Sequence, residues 1–149
     1  MRILAIADAV SPVVYSENFP KNLKPFDLIL SAGDMPGHVL EFIATKQTVQ
    51  PVYVIGNHGN AFIRAADTDE VRLPGGCINV HSKIIEFNGV LIAGIEGSAR
   101  YRPGPHQYTE AQYSWMVASM APKLAYHKLT KGRAVDILLT HAPLDIPHV

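Results

Sequence analysis

Short apolar runs, each stopped by polar residues and turn formers, organise the chain. Residues 2–7 are mostly apolar up to Asp8, residues 27–32 (DLILSA) end at Gly33-Asp34, and residues 52–55 end at Gly56-Asn57-His58-Gly59. These runs are short for helices and rich in Ile, Leu and Val, which suits strands buried on both faces. Between the second and third runs, Val39, Leu40, Phe42 and Ile43 fall on one helical stripe. That stripe predicts a helix over 36–47, with Pro36 at its first position. Residues 15–25 read as loop or a weak helix. The order strand–loop–helix–strand implies a βαβ arrangement and a largely parallel first sheet.

The second half has a different pattern. Asn88-Gly89 separates the strand-like runs 83–87 and 90–94, a strong short-range hairpin signal. Pro103-Gly104-Pro105 makes a rigid loop. Thr109 with Gln112 three residues later has the form of a capping box. It predicts a helix over 110–120, divided at Pro122 from a second helix reaching about Leu129. The stripe Tyr113, Met116, Val117 and Met120 reads as core. Residues 135–139 (VDILL) form one more buried strand, followed by Thr140-His141-Ala142-Pro143. With no repeat, low-complexity segment or linker, residues 1–149 read as a single α/β domain.

Composition narrows the classes. Hydrophobic residues make up 48% of the chain and charged residues 17%, below the roughly 25% charged of an average domain. General disorder is therefore excluded. Lys plus Arg equals Asp plus Glu at 13 each, so no basic excess supports a nucleic-acid partner or an anionic membrane surface. Cys77 is the only cysteine, which rules out an intrachain disulfide or a multi-thiolate zinc site. No run reaches the roughly 18 apolar residues of a membrane span. Asp8 interrupts the N-terminal run too early for a signal peptide, so a cytoplasmic location is expected.

The candidate chemistry lies at the strand exits. Asp8, Asp34, Asn57 and His141 each follow an apolar strand, and ligands collect beyond the carboxyl ends of parallel strands. Taken singly, Asp8 reads as a strand-end turn residue, Gly33-Asp34 as turn and helix-cap chemistry, and His141 as a hydrogen-bonded loop histidine. Together, in order, they read as a metal site. Carboxylate, amide oxygen and imidazole suit Mn²⁺, Fe or Zn²⁺. A bridging carboxylate holds two cations about 3.5–4 Å apart, the geometry for in-line attack on phosphorus by an acidified water. His58, beside a ligand, is placed to protonate a leaving oxygen or bind phosphate.

These motifs resemble the calcineurin-like metallophosphoesterases. That family carries Asp-x-His, Gly-Asp, Gly-Asn-His-(Asp/Glu), an isolated His and Gly-His-x-His. Asp8 stands in the first motif, Gly33-Asp34 in the second, Gly56-Asn57-His58 in the third and His141 in the fourth. Asp8 to Pro12 and Pro103 to Glu110 look closest to a branch of predicted phosphohydrolases. The resemblance implies a layered sandwich of two mixed β-sheets flanked by helices. It implies that Asp34 bridges two metals, Asp8 binds the first, and Asn57 and His141 bind the second, with His58 as the acid or phosphate-binding residue. The implied activity is hydrolysis of a small phosphomonoester or phosphodiester by metal-activated hydroxide.

The chain departs from the family pattern in three places. Val10 replaces the first motif's His, Gly59 replaces the acid after His58, and Gly-His-x-His is absent from these residues. The expectation is a stronger second metal site, a weak or vacant first one, and a C-terminally incomplete sandwich. Apolar surface left bare by the missing segment is expected to favour a homo-oligomer. The same departures motivate an alternative, a non-catalytic binding or scaffold protein. A flavodoxin-like nucleotide module is set aside, because residues 7–10 (ADAV) offer no phosphate-cradling glycine.

Other residues read more plainly. His38 and His127 read as helix-surface residues and His81 as structural. His106 belongs to the proline-rich loop, in a packing or a substrate-touching role. Arg100, Tyr101 and Arg102 read as a solvated loop, with phosphate binding or base stacking as the sharper option. Cys77 reads as an ordinary thiol. His148 would order into the site only with the missing segment present.

Overall fold

The computed structural model describes residues 1–21, 23–64 and 70–143; His148 lies outside them. The strands and helices are β1 (Ile3–Ile6), β2 (Leu28–Ser31), α1 (Gly37–Lys46), β3 (Pro51–Tyr53), β4 (Ile63–Arg64), β5 (Val71–Arg72), β6 (Ile78–Asn79), β7 (Ile84–Phe87), β8 (Val90–Ile95), β9 (Ser98–Ala99), β10 (Gln107–Tyr108), α2 (Glu110–Lys131) and β11 (Ile137–Thr140). The first sheet is wholly parallel, in the order β1-β2-β3-β6. The second, β11-β8-β7, joins a parallel pair to the antiparallel hairpin β7–β8. Asn88 and Gly89 at its tip take φ of 49° and 78°, the left-handed pair that a two-residue hairpin turn requires.

Side-chain alternation along the strands stacks these sheets. Leu28, Leu30, Val52 and Val54 meet Val80, Ile92 and Leu139 in one buried cluster between the two sheets. Ile29, Tyr53 and Ile55 point the other way and pack with Val39, Leu40 and Ile43 of α1 and with Phe19. Beyond the second sheet, Ala93 and Ile95 of β8 meet Met120, flanked by Tyr113, Met116 and Leu124 of α2. The layers thus run α1, parallel sheet, mixed sheet, α2, in a mixed α/β protein. Each fully buried Leu, Ile or Val contributes about 1.5–3 kcal/mol, so the two strand-rich interfaces hold the strand ends in place.

Three details differ from the sequence pattern, and for the described residues of 15–25 the structure selects the loop reading over the weak helix. β1 is partly buried, and on one face only: Leu4 and Ile6 pack on the α1-side core, while Ile3 is exposed. It is the edge of its sheet, and its outer face lies outside the inter-sheet cluster. β11 is likewise an edge strand, with Leu138 45% exposed. Residues 15–21 and 23–25 hold turns and bends and no helix, anchored by Val14 and Phe19 in the core. Pro36 is the N-cap of α1, one position before the first helical residue.

The largest departure is α2, which runs unbroken through Pro122. An interior proline costs a helix about 3 kcal/mol. Several features offset it. The capping box at Thr109 and Gln112 is fully formed, and Gly132 closes the C-terminus in the left-handed conformation. Met120 and Leu124, on either side of the proline, pack in the same cluster. Val117 is 41% exposed and leaves the expected core stripe; Trp115, Tyr126 and Leu129 of the same helix are exposed as well. Among the described residues, no helix is long and apolar enough to cross a membrane.

Candidate metal centre

The parallel register of β1, β2 and β3 sets their carboxyl ends side by side. Two residues just beyond these strands, Asp8 and Asp34, adopt left-handed backbone, with φ of 58° and 53°. That conformation costs an ordinary residue about 1–2 kcal/mol, less for Asp. The Asp8 N–H donates to the Gly33 carbonyl at 3.2 Å, coupling the two turns. The end of β11 reaches the same place, where the His141 Nδ1–H donates to the Ala32 carbonyl at 2.8 Å.

The five residues singled out by sequence come together here. One ligand atom each from Asp8, Asp34 and His141 lies within 4.8 Å of the others. His141 Nε2 stands 2.9 Å from Asn57 Oδ1 and 3.3 Å from Asp34 Oδ2. Because Nδ1 is committed as a donor to Ala32, Nε2 is the nitrogen left to face these two oxygens. That arrangement calls for an electropositive atom among them, a proton or a metal ion. Asp34 is buried, with 4% exposure. Its Oδ1 accepts the His58 N–H at 3.0 Å, and its Oδ2 contacts His58 Nδ1 at very short range. The Asp34 carbonyl accepts from Asn60 Nδ2 at 2.7 Å.

Two glycines make this closeness possible. A Cβ on Gly33 would lie 2.6 Å from His141 Nδ1, and one on Gly56 would lie 2.1 Å from Asp34 Oδ1. The glycines of Gly-Asp and Gly-Asn-His are thus positions where side chains of neighbouring strands must cross bare backbone. Val10 is exposed and brings no donor atom. The residues whose donor atoms could hold a divalent ion are Asp8, Asp34 and His141, with the Asn57 amide oxygen beside His141. Asp34 also supplies His58 with the carboxylate partner that Gly59 cannot.

Tyr101 is the residue that sequence reasoning undervalued. Asn57 Nδ2 donates to its hydroxyl at 2.7 Å, which turns Oδ1 toward His141. No local pattern around residue 101 signals this. A second polar group was also missed. Buried Glu96 accepts the Tyr108 hydroxyl at 2.7 Å and His106 Nδ1 at 3.0 Å, and its N–H donates to His81 Nδ1 at 3.1 Å. Burial pushes His81 below the usual imidazole value, against the pull of Glu96. Burial and the bond to Glu96 push the Tyr108 phenol well up. An acid directly after the apolar strand β8 was the available signal. His106 is also stacked on Phe62, with ring centroids 5.8 Å apart. Burial pushes the Cys77 thiol up to about 11.

A pocket of about 1120 Å³ opens beside the donors, bounded by Asp8, Asn57 and His141 on one side and by Tyr101, Tyr113 and Val117 on another. No protein-family model and no curated protein sequence matches the chain.

Proposed function

We propose that the protein is a metal-dependent phosphoesterase of the calcineurin-like kind, hydrolysing a small phosphomonoester or phosphodiester. The observation that carries this reading is the convergence of Asp8, Asp34 and His141 within 4.8 Å, beside Asn57 and His58. The succession of helix, two facing sheets and helix supports the family's layered sandwich as the finer description of the fold.

In this reading Asp34, Asn57 and His141 hold one divalent ion, Mn, Fe or Zn, and Asp8 with Asp34 forms a weaker second position. A divalent ion bound there supplies an acidified water for attack on phosphorus and neutralises charge on the phosphoryl oxygens. The Nδ1–Ala32 bond orients His141 so that Nε2 serves as the donor atom. Tyr101 fixes the Asn57 amide with its oxygen inward. His58, tethered by Nδ1 to Asp34, keeps Nε2 for a proton to the leaving oxygen or a contact to the phosphoryl group.

The test is turnover of a chromogenic phosphate ester and diester with added Mn²⁺, in the unaltered protein and in Asp34→Asn. Turnover that needs both the ion and Asp34 supports the reading; turnover indifferent to both refutes it. The absence of a donor at Val10 favours a second reading, a non-catalytic binding protein. Mn²⁺ binding at Asp34 without hydrolysis of either ester, unchanged by Val10→His, selects that reading.

A further inference from the structure

We infer that the pocket beside the donors receives an uncharged, ring-bearing alcohol portion of the ester, so that the substrate class is an aryl or arylalkyl phosphate rather than a polyphosphate or a phosphorylated small polyol. This rests on the phosphoesterase reading. Three observations carry it. The pocket adjoins the candidate centre, because Asp8 and His141 belong to both and Asn57, bonded to His141, also lines it. Its volume of about 1120 Å³ far exceeds what a phosphoryl group alone fills. Its remaining wall offers mainly the rings of Tyr101 and Tyr113 with the aliphatic Val117 and Ala118, the hydroxyls of Ser98 and Ser114 beside them, and among the described residues no Lys or Arg lines it.

Charge and preorganisation point the same way. Glu110 is the lining acid that is not one of the donors, and a second phosphate placed beside it meets like charge with no Lys or Arg among the described lining residues to offset it. Arg102 is not among the described lining residues; its guanidinium lies over one face of the Tyr101 ring, 5.4 Å from the centroid. The Tyr101 hydroxyl is held by Asn57, while the residue as a whole is 64% exposed. Its ring is therefore a fixed, wet aromatic surface next to the phosphoryl position, which gains most by covering a flat apolar group.

The experiment is calorimetric binding of two non-hydrolysable probes, 2-naphthylmethylphosphonate and methylphosphonate, to the Mn²⁺-loaded protein. The naphthyl probe is expected to bind at least about tenfold tighter, since its rings bury apolar area that the methyl probe lacks. Val117→Asp, on the solvent-facing side of α2, is expected to collapse that ratio, and Tyr101→Leu to reduce it. Equal affinity of the two probes, or no binding of either, overturns the inference. So does a preference that persists undiminished in both variants, because the rings then lie elsewhere. Failure of the phosphoesterase reading shows separately, as ester turnover indifferent to Mn²⁺ and Asp34.

Discussion

Replacing Gly56 by alanine tests how tightly the two central strands are locked together at the site. The added Cβ would lie 2.1 Å from Asp34 Oδ1 and 2.5 Å from the Asp34 backbone nitrogen. Because one of these atoms is backbone, no side-chain rotation relieves the clash, and Asp34 must retreat by about an ångström. The retreat sacrifices the 3.0 Å bond from the His58 N–H. Overpacking of this kind costs about 1–3 kcal/mol, and a lost bond to a buried carboxylate adds about 1.5–3 kcal/mol. Gly56→Ala is therefore expected to lose about 2.5–6 kcal/mol, a large share of a typical total of about 5–15 kcal/mol. Gly89→Ala is the control: its Cβ meets nothing within 4 Å, and only the φ of 78° is unfavourable, a cost of about 1 kcal/mol. Urea unfolding gives both stabilities, and calorimetry with Mn²⁺ gives both affinities. Gly56→Ala should fall well below the control in each. A Gly56→Ala protein that matches Gly89→Ala in stability and Mn²⁺ affinity would refute the reasoning.

Tyr101→Phe removes the hydroxyl that orients Asn57 and should weaken Mn²⁺ binding about tenfold while leaving the urea midpoint nearly unchanged; an unaltered affinity would show that the amide is oriented without it. Cys77, pushed up to about 11, is almost wholly a protonated thiol at neutral pH, so alkylation near pH 8 should run about a hundredfold slower than for free cysteine and accelerate on unfolding. His81 is held below its ordinary value, first by burial, so the unfolded chain binds its proton more readily than the folded one. Its contribution to stability is fully present above the unfolded value near 6.5 and is lost as pH falls through the depressed folded value. Urea midpoints followed across that window should drop less in His81→Gln than in the unaltered protein.

The strand exits were legible in the sequence because β2, β3 and the hairpin are covered on both faces or pinned by a turn. Leu28 to Ser31 and Val52 to Ile55 are apolar at nearly every position, and Asn88-Gly89 permits few alternatives. Edge position was not legible. Residues 2–7 read much like 27–32, yet β1 lies at the sheet's border and β11 at the other's. Apolar content alone does not say which strand ends up with a neighbour on each side. Pro122 misled for a related reason: local chemistry argues for a break, and tertiary packing of Met120 and Leu124 overrides it. At the site, Asp8, Asp34, Asn57, His58 and His141 could be named because each sits one short step past a strand. Tyr101 could not, since its role depends on a long-range approach to Asn57 across 44 positions of sequence. Glu96 was readable by the same strand-exit rule and was overlooked.

Anomalous diffraction from crystals soaked in Mn²⁺ examines the core of the account most directly. An ion is expected within about 2.0–2.3 Å of Asp34 and His141, with Asn57 completing its shell and a weaker peak, if any, toward Asp8. Crystals that take up no Mn²⁺ between these side chains at millimolar concentration, or bind it only elsewhere on the surface, would contradict it.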